Sequence, residues 1–187
     1  MSSFLTVTQL TGATVIDVRT PAEYAAGHIP GALNIPLDRL ERALPTLRGA
    51  AARRPIAVVC ASGARAATAC AQLAAAGVEA RSVEGGTSAW ASAGKALART
   101  PGARAVWAMD RQVRFAAGAL VVLAVLGDRA VPGLRRLGAA VGAGLVFSAV
   151  SNTCAMGAAL SRLPFNRPRG DAEAALEETL AALRTAA

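Results

Sequence analysis

The stretch that decides the fold is VVCASGARAATACAQLAAAG, residues 58–77. An apolar run ends at Cys60, Gly63 follows, and small and apolar residues then recur at helical spacing until Gly77. The apolar run predicts a buried strand, and the recurring residues predict a helix that Gly77 ends. Cys60 would therefore lie between the end of a strand and the start of a helix, where open α/β sheets bind their ligands.

Apolar runs and helix-like segments alternate on both sides of this stretch. TVIDV at 14–18 and the continuous apolar run PIAVVC at 55–60 predict buried strands, and VEARSV at 78–83 is another strand candidate. PAEYAAG at 21–27 and LDRLERAL at 37–44 predict helices between them. Strands that alternate with helices favour an α/β fold, in which helices flank a parallel sheet.

The composition argues against several classes of function. The net charge is +8, but no basic stripe alternates with aromatic residues, so we expect no nucleic-acid partner. Cys60, Cys70 and Cys154 are too far apart to indicate a disulfide framework or a metal site. We expect no metal and no cofactor, and this use of cysteine is typical of a reducing compartment. The first residues show no basic segment before a long apolar core, so no secretory signal is predicted.

Cys60 has surroundings that would suit a nucleophile. A sulfur nucleophile reacts as the thiolate. The start of the following helix, converging loop amides and an arginine would all stabilise a negative charge there. The alternative is a buried structural cysteine, an interpretation that fits Cys70 better because Cys70 lies on the apolar face of the helix. The residues expected to line the anion site are Ala61, Ser62, Gly63, Ala64 and Arg65.

Three ordered segments together resemble the single-domain rhodaneses, a family of sulfurtransferases. They are IDVRTPAEYAAGHIPGALNIP at 16–36, VVCASGARAATACAQLAAAG at 58–77 and VEGGTSAW at 83–90. The resemblance spans residues 12–97 and implies a rhodanese-like parallel sheet. It implies that Cys60 takes a sulfane sulfur from thiosulfate or a persulfide as its own persulfide and passes it to cyanide or a thiol. Cys60 and Arg65 would be the catalytic residues.

The same resemblance assigns supporting residues. Asp17 and Arg19 match an Asp-x-Arg pattern and would brace the loops at the site, with Glu23 in support. His28 lies in a motif where it is structural. The spacing Cys-x-x-x-x-Arg is one residue shorter than in related phosphatases and arsenate reductases, which favours sulfur transfer over phosphoryl transfer.

The second half of the chain predicts an all-α transmembrane hairpin. Residues 137–161 are 25 residues without a charge, enough for a helix that crosses a bilayer, while 115–127 provide a shorter uncharged run. Pro132 and Gly133 predict the turn between the two helices. This half resembles the two-helix domain fused to rhodaneses in bacterial inner-membrane proteins. That resemblance implies a membrane-lipid partner and a homodimer formed through the membrane helices.

These observations predict four segments. Residues 1–100 would form the rhodanese-like domain, 101–110 a linker, 111–165 the hairpin and 166–187 a cytoplasmic amphipathic tail helix. The tail's leucines at 176, 180 and 183 could pack on a partner, on the domain or on the membrane. More arginines flank the two outer ends of the hairpin than its loop, so we expect a multi-pass inner-membrane protein with both termini and the catalytic domain in the cytoplasm.

The leading hypothesis is a membrane-anchored thiosulfate-type sulfurtransferase. One alternative is a sulfur relay coupled to transport, in which an oligomer of hairpins passes a sulfur species or thiocyanate. Its only support is the polar cluster at 151–154, which includes Asn152 and Cys154. The other alternative is a noncatalytic sulfur or redox sensor that uses modification of Cys60.

Overall fold

The computed structural model describes residues 4–103, 105–151, 155–161, 163, 166 and 172–185. The chain divides into two compact units. The first consists of Met1–Val106 together with Arg167–Ala187, and the second of Trp107–Asn166. The helices are α1 Pro21–Ala26, α2 Leu40–Ala51, α3 Ala64–Ala75, α4 Gly86–Ser92, α5 Met109–Gly127, α6 Arg135–Ser151, α7 Ala155–Ser161 and α8 Ala172–Thr185.

The first unit is built on a parallel sheet of five strands. The strand order is β1-β5-β4-β2-β3, and every neighbouring pair is parallel. The predicted α/β fold, a parallel sheet flanked by helices, is thereby confirmed. The strands are β1 Phe4–Leu5, β2 Thr14–Asp17, β3 Leu33–Asn34, β4 Ile56–Val59 and β5 Ala80–Val83.

Strand β4 lies in the centre of the sheet and is buried along its whole length. Successive side chains of a strand point to opposite faces. Ile56 and Val58 therefore join the apolar cluster that includes residues of α2 and α3, while Ala57 and Val59 join the cluster on the other face. A continuous apolar run is typical of a strand that is covered on both faces. Cys60 follows Val59, the last residue of this buried strand, and is itself buried.

Helix α8 belongs to the first unit and packs on the sheet's α2 side. Leu176, Leu180 and Leu183 are almost fully buried in the same cluster as Ile56 and Val58. The tail helix thus covers part of the first unit's apolar core, which is one of the three environments that its leucines allowed.

Helices α5 and α6 of the second unit form a hairpin. Gly138 of α6 comes close to α5, since a Cβ there would lie 3.2 Å from the Cβ of Ala124. Asp128, in the turn, accepts hydrogen bonds from the backbone N–H groups of Gly133 and Arg135 at 2.8 and 3.1 Å. A hairpin with its turn near Pro132 and Gly133 is therefore present.

The predicted transmembrane span is not found. Among the described ranges, no helix is both long enough and apolar enough to cross a bilayer. Helix α5 begins before Asp110, Arg111 and Arg114, which leaves only its later residues uncharged. The predicted span is described only as α6 up to Ser151 and α7 from Ala155, and residues 152–154 between them lie outside the described residues. A spanning helix needs about 20 apolar residues in one run.

Two residues named for the transport hypothesis, Asn152 and Cys154, lie outside the described residues. The same is true of the segment 167–171 that leads into α8.

Candidate active site

Cys60 lies directly after β4, at the carboxyl end of the central strand. The residue is 1% exposed, and its Sγ accepts a hydrogen bond from the backbone N–H of Gly63 at 3.1 Å. Gly63 has a φ of +112° and immediately precedes the first residue of α3. That left-handed conformation suits glycine and turns the chain from the strand into the helix. An N–H that points at the sulfur stabilises negative charge on it.

A second turn holds the other side of the cysteine loop. The backbone N–H of Thr87 donates to the carbonyl of Cys60 at 2.9 Å, and that of Ser88 donates to the carbonyl of Ala61 at 3.1 Å. Gly86 has a φ of +56°, and a Cβ there would overlap the same two carbonyl oxygens. The loop carbonyls are therefore fixed by the start of α4. We did not predict this role for Thr87 and Ser88; the glycine pair before them is the signal in the sequence.

Asp17 and Arg19 form a buried ion pair at the end of β2. Nη2 of Arg19 lies 2.6 Å from Oδ2 of Asp17 and also donates to the carbonyl of Gly27 at 2.7 Å. The backbone N–H of Arg19 donates to Oδ1 of Asp17 at 3.0 Å. Asp17 aligns with Val59 in the β2–β4 register, one residue before Cys60. The structure thus places this pair beside the cysteine loop, and its role in supporting the site stays a prediction.

Arg65 faces Glu23. Its Nη1 and Nη2 donate to the two carboxylate oxygens of Glu23, each at 2.8 Å. Glu23 also accepts from the backbone N–H and the hydroxyl of Thr20, at 3.1 and 3.0 Å. Burial by itself would lower the pKa of Arg65, but the hydrogen bonds and charge of Glu23 outweigh it and hold that pKa above its ordinary value. The guanidinium is thus a fixed cation whose charge is matched by a buried carboxylate.

The predicted anion loop therefore directs the Gly63 N–H at the sulfur and contains an arginine that is paired with Glu23. Ala61 is buried, Gly63 and Arg65 are half-buried, and Ser62 and Ala64 are exposed. A direct contact of Arg65 with a substrate stays a prediction, because two of its donors are occupied by Glu23.

A cavity of about 250 Å³ lies beside the loop. Ser82 and Phe4, which are aligned in neighbouring strands, contribute to its wall. Ser82 is 3% exposed, and its Oγ has no hydrogen-bond partner among the described residues. The residues that line the cavity are Phe4, Ser62, Gly63, Ala64, Ala67, Ser82, Glu84 and Gly85.

The single histidine, His28, and the second cysteine, Cys70, have surroundings that fit a structural role rather than a catalytic one. The ring of His28 stacks on Tyr24 at 3.8 Å between centroids, and its Nδ1 lies 2.9 Å from the carbonyl oxygen of Tyr24. Cys70 lies on α3, and burial raises the pKa of its thiol to about 11. Within the described part of the chain, no group of three or more histidine, cysteine or acidic side chains could hold a metal ion.

Comparison with known proteins identifies the family of the first unit. Residues 6–93 match the family model described as a rhodanese-like domain. An uncharacterized protein of Synechocystis sp. is 39% identical over 156 residues, which cover 82% of this chain and 84% of that protein.

Solved structures include similar chains. A rhodanese-related protein from Thermoplasma volcanium is 32% identical, with a TM-score of 0.46 over 50% of this chain and 95% of that chain. A rhodanese-like domain protein from Staphylococcus aureus is 30% identical, with a TM-score of 0.43 over 56% of this chain and 98% of that chain.

Proposed function

Because residues 6–93 of the chain belong to the rhodanese-like domain family, we propose that the protein is a sulfurtransferase whose sulfur carrier is Cys60. The observation that carries the proposal is the position of Sγ. It lies after the central strand, within hydrogen-bonding distance of the Gly63 N–H and before the start of α3. A rhodanese-like domain indicates a sulfurtransferase-type function in general, and the donor and acceptor are the proposed part.

The proposed reaction has two displacement steps. The Cys60 thiolate attacks the outer sulfur of thiosulfate, the sulfur–sulfur bond of the donor breaks, and sulfite leaves with the electron pair. The product is a Cys60 persulfide. In the second step cyanide or a thiolate attacks the outer sulfur, the bond to Sγ breaks, and Cys60 leaves as a thiolate. A persulfide donor would give the same intermediate and release a thiolate instead of sulfite.

The loop suits both steps because the same sulfur is nucleophile and leaving group. The Gly63 N–H and the start of α3 stabilise the negative charge that Sγ carries when it attacks in the first step and when it leaves in the second. Arg65 and Arg19 are both paired with carboxylates, so the charge that the loop offers an anionic donor comes mainly from backbone N–H groups.

Intact mass spectrometry tests this proposal directly. The full chain is treated with thiosulfate, desalted gently and compared with Cys60→Ser and, as the matched control, Cys70→Ser. We expect the mass of one sulfur atom on the native chain and on Cys70→Ser, removed by cyanide, and no gain on Cys60→Ser. A gain that persists in Cys60→Ser, or no gain with any sulfane-sulfur donor, would overturn it.

Turnover separates an enzyme from the sensor alternative. An enzyme releases many equivalents of thiocyanate per chain when thiosulfate and cyanide are in excess. A sensor would stop after one equivalent. We expect steady turnover that Cys60→Ser abolishes.

We also propose that the second unit attaches the protein to the inner-membrane surface and brings two copies together there. Large apolar side chains of this unit are exposed, including Phe115 at 65% and Phe147 at 67%. Arg111 and Arg114 lie near the start of α5, and Arg135 at the start of α6. Exposed apolar side chains next to arginines suit a surface with anionic lipids.

Vesicle flotation tests this attachment. We expect the full chain to float with vesicles of phosphatidylglycerol and phosphatidylethanolamine, and the double variant Phe115→Ser/Phe147→Ser to stay in the soluble fraction. Phe4→Ser is the control, since Phe4 is also exposed but belongs to the first unit. Equal flotation of all three proteins, or none by the native chain, would contradict the attachment.

A further inference from the structure

The cavity beside the cysteine loop has a polar wall that the proposed sulfur transfer does not use. Its wall includes Gly63, the residue whose N–H donates to the Cys60 sulfur. Gly63 therefore contacts both the cavity and the reacting sulfur atom. The hydroxyl oxygen of Ser82 is buried in this wall without a hydrogen-bond partner among the described residues. A buried polar atom without a partner is costly, and a ligand that supplies one recovers that cost.

The cavity combines the backbone N–H groups of the loop, which favour negative charge, with the carboxylate of Glu84, which favours a cationic group on its own side of the cavity. Arg19 and Arg65 are each paired with a carboxylate, so neither pair adds net charge. Glu84 also lines the cavity, and its carboxylate makes no ion pair or hydrogen bond with another described side chain. A persulfide on Cys60 would add a further negative charge nearby. The cavity therefore offers a carboxylate and a hydroxyl oxygen to a group that donates hydrogen bonds.

The size of the cavity limits the ligand to a small molecule. About 250 Å³ is below the range of roughly 300–1,000 Å³ in which drug-sized ligands bind. Ala64, Ala67 and the ring of Phe4 supply apolar wall for a short carbon chain. An ammonium group on a chain of a few carbons matches both the polar and the apolar parts.

We propose that this cavity binds the ammonium group of the sulfur acceptor, and that the acceptor is a small aminothiol. The inference rests on the proposed sulfurtransferase function. The ammonium group would donate to Glu84 and to Ser82 Oγ. The acceptor thiolate would attack the outer sulfur of the Cys60 persulfide, the bond to Sγ would break, and the products would be the Cys60 thiolate and the aminothiol's persulfide.

Acceptor competition measures the role of the amine. Cysteamine carries an amine where 2-mercaptoethanol carries a hydroxyl. Their kcat/KM values as sulfur acceptors are compared at equal thiolate concentration. We expect cysteamine to be favoured roughly tenfold, as for one charged hydrogen bond, and Glu84→Gln and Ser82→Ala each to reduce that ratio. Glu79→Gln, which removes an exposed carboxylate just before β5, is the control and should keep the ratio. Equal use of the two thiols by the native protein, or an unchanged ratio in Glu84→Gln, would overturn the proposal.

A binding measurement separates this inference from the sulfurtransferase proposal. S-Methylcysteamine keeps the amine but cannot accept sulfur, and 2-(methylthio)ethanol is its neutral counterpart. In an NMR titration of the full-length chain with each, we expect the amine alone to shift the amides of Ser82, Glu84 and Gly85. Shifts without any sulfur loading of Cys60 would leave the cavity site standing and remove the sulfur-transfer function. Loading without such shifts would remove the cavity site and leave the function.

Discussion

Glu23 and Arg65 form an ion pair next to the cysteine loop, and we expect this pair to contribute to the free energy of unfolding. Glu23→Gln keeps the size of the side chain but leaves the half-buried guanidinium without its countercharge. We expect the free energy of unfolding to fall by about 2 kcal/mol, the usual size for a charged hydrogen bond. Urea denaturation of the full chain measures it.

Glu177→Gln is the matched control for that substitution. Glu177 also faces an arginine, Arg42, at 3.7 Å, but both side chains are about half exposed. Exposed pairs contribute little, so we expect a change within about 0.5 kcal/mol. Equal costs for the two substitutions would show that the Glu23–Arg65 pair does not stabilise the loop.

Cys70 predicts a pH dependence of stability. Burial raises the pKa of its thiol from 9.0 to about 11, so the folded protein holds this proton after the unfolded chain has lost it. Between these pH values the unfolded state binds fewer protons, and stability therefore falls as pH rises. Cys70→Ala should remove the part of this decrease in stability that comes from the Cys70 thiol. Urea midpoints at about pH 8 and about pH 10.5 measure it, and parallel profiles for native and variant proteins would contradict it.

At the scale of single residues, the local sequence predicted where a residue lies in the fold better than it predicted which side chains that residue contacts. Cys60 could be placed at a strand end because the apolar run stops there. His28 could be given a structural rather than a catalytic role because of the motif in which it lies. The bidentate contact between Arg65 and Glu23 joins residues 42 positions apart, and no local pattern encodes that distance. The unpartnered hydroxyl of Ser82 also depends on residues far away in sequence.

The connection between the cysteine loop and α4 leads to a prediction at the scale of elements. A Cβ at Gly86 would meet backbone carbonyl oxygens, which cannot rotate away, and would push α4 from the loop. We expect Gly86→Ala to cost more than about 3 kcal/mol, among the large effects of single substitutions, and to abolish sulfur loading of Cys60. Urea denaturation and intact mass spectrometry measure the two effects.

Gly94→Ala measures how much of the destabilisation comes from placing alanine at a positive φ, without a clash of the added Cβ. Gly94 has a φ of +71°, similar to the +56° of Gly86, but nothing lies within 4 Å of its Cβ position. Its substitution should cost about 1 kcal/mol and leave sulfur loading intact. If both alanines cost the same, the close approach of Gly86 to the loop carbonyls is unimportant.

Elements with a strong local pattern of apolar residues were predicted from the sequence. Elements that form because of tertiary contacts were missed or given bounds that were too short. The apolar runs that became β2 and β4 could be recognised alone, whereas β5 contains Arg81 and Ser82 and was recognised by its position after the helix that Gly77 ends. Strand β1 has two residues and exists because it pairs with β5. Helix α2 continues past Pro45 to Ala51, beyond the segment we predicted, because Leu47 and Ala50 are buried in the core.

The second unit shows why a count of uncharged residues does not define a membrane span. Residues 115–127 lack charge, but the helix that contains them begins at Met109 and therefore also includes Asp110, Arg111 and Arg114. The start and end of a helix depend on capping and turn contacts, such as those that Asp128 makes to Gly133 and Arg135. The predicted turn follows from local chemistry, whereas the predicted first span required knowledge of where α5 begins.

At the scale of the whole molecule, the last helix returns to the first unit after the chain has passed through the second. Leu180 of α8 is 3% exposed in the core cluster, so Leu180→Ala removes buried methyl groups from the first unit. We expect a loss of about 2–5 kcal/mol in the unfolding of that unit, measured with urea on the full chain. Glu178→Ala, at an exposed position of the same helix, should change stability by no more than about 0.5 kcal/mol. If Leu180→Ala instead leaves the unfolding of the first unit unchanged, α8 is an appendage, and the rhodanese-like domain is stable without the chain that follows the hairpin.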